Sequence, residues 1–325
     1  MAELEHLTLR GNGLNLHAVA QGKGPVVLLI HGFPGLSYSW RHQMAAIADA
    51  GWRAVAIDLR GFGRSDAPKD PALYNWDCVG PDILNAIDSL GQEKVVIVGH
   101  DFGSNLTWHM GQRNPERFLG LCVTSAPFNS TPIPIKPSEA FKMAAEHAFL
   151  HMHYFQEVGP GDRELDANPA GYIGRLYWAL SAECGHKFAG QNPDAKGYID
   201  VLPEHPPLPW KWMRQAEFDH YIAEYKRAGF TGGINWYRAM DANWEIAKRF
   251  EGKKLPMPTL FISGEQDTVI RDYTTPDSVE AMKSMMPDLR GFELIPNAGH
   301  FVQMEQSAAF NAILLKFLAE IKPSA

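Results

Sequence analysis

Gly99-His100-Asp101-Phe102-Gly103 sets an aspartate at the centre of a pentapeptide, with a glycine two residues to either side. The apolar run Val95–Val98 leads into it, and a helical pattern leads out as far as Asn114, with Pro115 just beyond. The segment therefore reads as strand, sharp turn, helix. Glycine tolerates the crowding of such a turn, which pushes the central side chain out where it can react. Serine is the usual occupant. An aspartate carboxylate is already ionised near neutral pH, so it needs no base to become a nucleophile. The other reading of Asp101 is a helix N-cap, a position where aspartate is common and does no chemistry.

Two further features favour the nucleophile. The first is chain order: in proteins with this turn the nucleophile is followed by an acid and then by a histidine. Asp267 follows the strand-like Leu260–Ser263 in Gly264-Glu-Gln-Asp267, and His300 follows a strand ending near Ile295, in Asn297-Ala-Gly-His300-Phe301. Both fall in loops at strand C-terminal ends, where open α/β sheets gather their sites. The second is His31-Gly32-Phe33-Pro34-Gly35, directly after the run Val26–Ile30. The backbone N–H groups of Phe33, in this loop, and of Phe102, after the nucleophile, are assigned as oxyanion donors. His31 and His100 read as structural histidines of their turns.

The elements that must position these residues alternate between strand and helix. Strands are expected at Val26–Ile30, Arg53–Ile57, Val95–Val98, Phe118–Thr124, Thr259–Ser263 and Phe292–Ile295. Helices are expected at Ser37–Ala50, Trp76–Leu90, from Gly103 to Asn114, Ser278–Met286 and Ser307–Ile321. That alternation implies an α/β fold, a mostly parallel sheet with helices on both faces. From Ala126 to about Pro256 the β-branched runs disappear, prolines cluster, and helix formers and aromatics such as Trp178, Trp210 and Trp236 take over. The order is that of one core domain, residues 1–126 and 256–325, interrupted by a helical cap over 127–255. The cap aromatics suggest an apolar substrate pocket.

Composition excludes other classes. Of 325 residues 45% are hydrophobic, enough for a substantial core, and 30 basic against 37 acidic residues give a net charge of −7. Neither nucleic acid nor an anionic membrane is an expected partner. Three scattered cysteines, without a CxxC pair, read as reduced thiols of a cytoplasmic protein. Residues 1–13 lack a signal-peptide core, and no apolar stretch approaches the roughly 18 residues of a membrane span. No cofactor or metal is expected; the oligomeric state, a homo-oligomer included, is left open.

The set His31-Gly-Phe-Pro34, Asp58-Leu-Arg-Gly-Phe-Gly-Arg-Ser65, Gly99-His-Asp-Phe-Gly103 and Ala298-Gly-His300 resembles the epoxide hydrolase branch of the α/β-hydrolase fold, over about residues 5–320. The resemblance implies that Asp101 attacks an apolar epoxide to form a hydroxyalkyl ester. Water activated by His300, with Asp267 behind it, then releases a vicinal diol. Some members carry the acid just before an Ala-Pro pair; here that place is Ser125, which leaves Asp267. The family protonates the departing oxygen with two lid tyrosines. One matches Tyr237 in Asn235-Trp-Tyr237-Arg. The other falls on His151 of His151-Met-His-Tyr-Phe155-Gln156, where a histidine would tie the pH profile to neutrality. Tyr154, three residues on and able to share a helical face, is the competing donor, with His151 preferred.

Two other readings stay open. Haloalkane and haloacid dehalogenases use the same aspartate, but commonly follow it with a tryptophan or an arginine where this chain has Phe102. A non-catalytic hydrolase fold that binds a hydrophobic ligand would be expected to lack one of Asp101, Asp267 and His300.

Overall fold

Eight strands form one sheet: β1 (Glu5–Arg10), β2 (Asn15–Gly22), β3 (Val26–Ile30), β4 (Arg53–Ile57), β5 (Val95–His100), β6 (Phe118–Thr124), β7 (Thr259–Gly264) and β8 (Leu289–Ile295). This computed structural model describes residues 4–128, 133–185, 192–273 and 275–323. The strand order is β1-β2-β4-β3-β5-β6-β7-β8. β1, β2 and β4 pair antiparallel, and every pair from β4 to β8 is parallel. The chain leaves β3 for β4 on one side and crosses back to β5 on the other, so the loops after β3 and β5 diverge and frame a crevice. Those two loops carry Phe33 and Asp101.

Every residue of β3 and β5 is buried, as strands covered on both faces require. Their side chains alternate between two cores. Val27, Leu29, Val96 and Val98 pack with Trp40, just before α1 (Arg41–Asp49), with Ile47 of α1, and with Phe310 and Leu314 of the last helix (Ser307–Ile321). Leu28, Ile30, Val95 and Ile97 face the other way, towards α2 (Trp76–Ser89) and α3 (Phe102–Arg113). Each fully buried branched side chain contributes roughly 1.5–3 kcal/mol, which fixes strand register strongly.

Between β6 and β7 the described residues form no strand; they carry α4 (Pro137–Ala145), α5 (His151–Tyr154), α6 (Pro160–Ala167), α7 (Pro169–Leu180), a 3-10 turn over Ile199–Val201, α8 (Gln215–Ala228), α9 (Thr231–Arg238) and α10 (Met240–Lys248), joined by turns and irregular segments. After β7 come α11 (Thr268–Tyr273), α12 (Pro276–Ser284), α13 (Val302–Glu305) and α14 (Ser307–Ile321). The helices between β6 and β7 are stitched onto the core by specific bonds. Tyr177 and Tyr225 donate to the carbonyls of Pro34 and Gly35 at 3.0 and 3.2 Å, and the Trp236 indole donates to Arg60 O at 3.1 Å. A Cβ at Gly232 would strike the Gly61 carbonyl, so α9 lies directly on the Asp58–Ser65 loop. That loop is itself pinned: Asp58 accepts from Ser37 N at 2.7 Å and Arg64 N at 3.1 Å, and Arg60 makes a buried bidentate pair with Asp82.

Several sequence boundaries shift. The expected Ser37–Ala50 helix divides into a 3-10 turn over Ser37–Trp40 and α1. β8 begins at Leu289 rather than Phe292, and the β1–β2 hairpin was not anticipated. No helix among the described residues is long and apolar enough to cross a membrane.

Candidate active site

Asp101 sits at the junction of β5 and α3 with φ 56° and ψ −118°, a left-handed conformation that costs a non-glycine residue about 1–3 kcal/mol. Its neighbours make the turn possible. A Cβ on Gly99 would strike the Gly103 carbonyl and the Thr107 hydroxyl, and one on Gly103 would strike the Ile30 carbonyl of β3. A Cβ on Gly32 would overlap the Asp101 carboxylate itself, so the β3 loop can meet it closely. Phe33 N donates to Asp101 Oδ1 at 2.8 Å and is, among the described residues, the one backbone donor to this carboxylate. Phe102 N belongs to the first turn of α3, where N–H groups lack an intrahelical acceptor. Asp101 makes no side-chain cap to α3, against the N-cap reading.

His300 Nε2 lies 3.7 Å from Asp101 Oδ2, and its Nδ1 faces Asp267 at 3.3 and 3.2 Å from the two oxygens. Asp267 is wholly buried; its Oδ1 accepts Val269 N at 3.0 Å. Burial works against a charged imidazole, but the carboxylates of Asp267 and Asp101 outweigh it and raise the His300 pKa to about 10. The same pairing acts on Asp101: burial opposes its charge, yet His300 and the Phe33 N–H hold it below the usual carboxylate range. The loop of His300 is gripped from the core, since Ser125 Oγ donates to the His300 carbonyl at 2.9 Å and His100 Nε2 lies 2.9 Å from the same oxygen. His100 is buried, which pushes it down to about 4. His31 bridges turns instead, with Nδ1 2.7 Å from Gly32 O and Nε2 accepting Leu59 N at 3.1 Å. Both rings are engaged by main-chain groups.

A cavity of about 450 Å³ opens above Asp101 and His300. Leu150, Met152, Leu176 and Leu180 give it apolar walls, and Phe33, His151, Tyr198 and Tyr237 add aromatic ones. Tyr237 meets Phe102 at a centroid distance of 4.7 Å and His151 edge-on at 5.5 Å. Gln156 Nε2 donates to the Tyr237 carbonyl at 3.1 Å and to Met152 O at 2.8 Å, tying α5 to α9. Burial and the Asp101 charge raise the Tyr237 pKa far enough to keep it a phenol. Burial drives His151 down to about 4, with Asp101 pulling weakly the other way. The expected neutral-pH titration of His151 is thereby corrected: it is an uncharged imidazole at pH 7.

The structure brings Asp101, His300, Phe33, Phe102, Tyr237 and His151 around this cavity, with Asp267 buried behind His300, and leaves Tyr154 outside it. Tyr154 packs on Phe149 at 5.4 Å and lines an outer groove with Lys142 and Pro193, its phenol raised by burial and by Glu164. α5 is one turn long, and although residues three apart lie within roughly 60° of each other, its position at the rim of the cavity turns His151 to the inside and Tyr154 to the outer groove. The tryptophans do not line the cavity either: Trp210 and Trp236 are buried in packing, and its apolar character comes from leucines, methionines, phenylalanines and tyrosines. Tyr198 was not singled out from sequence. It stacks on His151 at 4.9 Å and 8°, from a segment rich in glycine and proline that shows no helical or strand period. Among the described residues no group of three or more His, Cys, Asp or Glu side chains is arranged to hold a metal ion.

Comparison with known proteins agrees with this geometry. A family model for the alpha/beta hydrolase fold matches residues 25–156. The chain is 38% identical to epoxide hydrolase A of Mycobacterium tuberculosis, covering 96% of each protein. It is 37% identical to an epoxide hydrolase of Caballeronia sordidicola, over 95% of this chain and 92% of that one. The crystal structure of epoxide hydrolase A from Mycobacterium thermoresistibile superposes with a TM-score of 0.88 at 37% identity, covering 98% of both chains. An epoxide hydrolase from an endophytic Streptomyces superposes at 0.92 with 32% identity, over 98% of this chain and 96% of the other. The elbow carrying Asp101, the His300 loop facing it and the full-length likeness to these enzymes converge: the chain belongs to the epoxide hydrolases of the α/β-hydrolase fold.

Proposed function

We propose that this enzyme converts an apolar epoxide to a vicinal diol in two steps, with residues 1–126 and 256–325 as the catalytic core and 127–255 as the cap. The observation that carries the reading is an ionised Asp101, 3.7 Å from an imidazole backed by a buried carboxylate, at the floor of an apolar cavity whose roof holds a phenol and a neutral imidazole. In the first step Asp101 Oδ2 attacks an oxirane carbon and the C–O bond breaks. The departing oxygen takes a proton from Tyr237, with His151 as the second hydrogen-bond donor. Oδ1 stays on the Phe33 N–H as the carbonyl oxygen of the new ester.

Esterification cancels the Asp101 charge, one of the two that hold His300 protonated. The imidazole then gives up its proton, which balances the one lost by the phenol. As a neutral base, Nε2 takes a proton from water, and the hydroxide attacks Cγ. The developing oxyanion is held by the N–H groups of Phe33 and Phe102. Collapse breaks the Cγ–Oδ2 bond; the diol's departing oxygen takes the remaining water-derived proton from the new carboxyl, which regenerates the carboxylate and leaves His300 protonated beside Asp267.

The dehalogenase reading has less support. Phe102 brings no side-chain donor to the cavity, and the Trp236 indole is committed to Arg60 O. A single turnover with excess enzyme in heavy-oxygen water tests the route: label belongs in Asp101, with little in the first-turnover diol. Label passing straight into the diol overturns the ester. A parallel halide-release assay with haloalkanes and haloacetates should give no turnover.

A further inference from the structure

His300 lies between two backbone N–H groups that donate to one carboxylate. Gly299 N reaches Glu305 Oε2 at 2.9 Å, and Phe301 N reaches Glu305 Oε1 at 3.0 Å. The same Oε2 accepts a third donor, Ala182 N, at 2.8 Å, from just beyond the end of α7. One residue away, His300 N donates to the Leu180 carbonyl at 3.0 Å. The contact is so close that a Cβ on Gly299 would strike Leu180 O and come within 2.7 Å of Ala182 N. Among the described residues no cation pairs with Glu305, and its carboxylate is held by main-chain donors from the two segments that meet here. Burial pushes its carboxyl up to about 7, the three N–H donors pull it down, and the neighbouring Asp267 charge adds to the rise.

We propose that Glu305 is a positioning residue that latches the His300 loop to the 180–182 segment and thereby aims the imidazole. The proposal rests on the two-step reaction above and adds a residue to its second step. Attack by Asp101 depends on the Phe33 loop and the roof donors, which are held by Tyr177, Tyr225, Gln156 and Trp236. Ester hydrolysis depends on where Nε2 points, and that depends on the backbone to either side of His300. A latch at Glu305 therefore acts on hydrolysis and leaves alkylation alone. A merely structural residue would lower both in proportion to the folded fraction.

Glu305→Gln keeps the shape but turns one acceptor oxygen into a donor, so either Phe301 N or the Gly299 and Ala182 pair faces an N–H group. In pre-steady-state runs on an epoxide, alkylation of this variant should stay within about threefold of native, and ester hydrolysis should slow by about 10–100-fold, the scale of a small misplacement of a reacting group. Intact-mass spectra should then show the ester accumulating on the protein. Ala182→Pro removes the third donor without touching α13; Ser181 is extended (φ −79°, ψ 155°), as a residue before proline must be. It should shift the partition in the same direction. Equal loss in both steps, or no loss in either, overturns the latch. Amide hydrogen exchange supplies a readout free of turnover: Glu305→Gln should accelerate exchange at Ala182, Gly299 and Phe301 together, and acceleration on one side alone also overturns it. Native enzyme that opens no epoxide would refute the reaction, while the exchange result would still decide the latch.

Discussion

Replacing Asp101 with asparagine imitates the esterified enzyme, because it removes one negative charge beside His300 and keeps the side-chain shape. The charges lie 3.7 Å apart, and at an effective dielectric of about 20 their interaction is roughly 4.5 kcal/mol, or about three pH units on the imidazole. Asp101 opens to the cavity, with a quarter of its side chain accessible, so water weakens this to between about one and three units. His300, near 10 in the native protein, should therefore titrate between about 7 and 9 in Asp101→Asn. Nuclear magnetic resonance of isotope-labelled imidazole follows this directly, with mass spectrometry checking that the introduced amide has not been hydrolysed. A fall of less than about half a unit would refute the idea that esterification itself converts His300 from acid to base. The stability consequence has a definite sign. Folding raises this pKa, so the stabilisation is complete below the unfolded value of 6.5 and is lost as pH climbs through about 10. The melting temperature of native protein should decline across that window, and less steeply in the variant.

Tyr237→Phe should slow alkylation by about 10²-fold or more, with little change in hydrolysis of any ester that forms, read by stopped flow. His151→Phe should slow alkylation while Tyr154→Phe leaves it near native; the reverse result would put the second donor on the outer face of α5. Native alkylation should show no inflection from His151 between pH 6 and 8, since burial holds that imidazole near 4. Asp58 has the opposite sign to His300. Burial opposes its charge, but His17 and the Ser37 N–H bring it to about 2 from 3.8, so its stabilisation of about 2 kcal/mol is present above pH 3.8 and lost as pH falls through about 2. Asp58→Asn should flatten the acid limb of a stability–pH curve.

Much of the core was legible because its strands are buried on both faces. β3 and β4 match the expected bounds to the residue, as does α14, each a continuous or strongly periodic apolar run. The β1–β2 hairpin escaped because an edge ribbon carries mixed polar residues, with only a faint alternation in β1. β8 was cut short for a related reason: it is the other edge, half exposed, and opens with Leu289-Arg-Gly. The segment between β6 and β7 could be read as helical but not resolved into helices, since its prolines and aromatics serve contacts with the sheet loops rather than a local period.

The site divides along the same physical line. A glycine-flanked aspartate after an apolar strand, and an acid and a histidine after later strands, are local signals whose meaning follows from the strand order of an α/β sheet, so sequence alone put Asp101, Asp267, His300 and Phe33 at one end of the molecule. Tertiary packing decided what no local pattern encodes. It turned His151 inward and Tyr154 outward across a single helical turn, and it brought in Tyr198 from an irregular segment. It set the charge of each imidazole by burial and neighbouring carboxylates: near 4 for His151, near 10 for His300. Residue type and spacing specify which groups are available for chemistry. Their protonation and aim depend on desolvation and on hydrogen bonds between segments far apart in the chain, and those exist only once the helices between β6 and β7 are folded against the sheet.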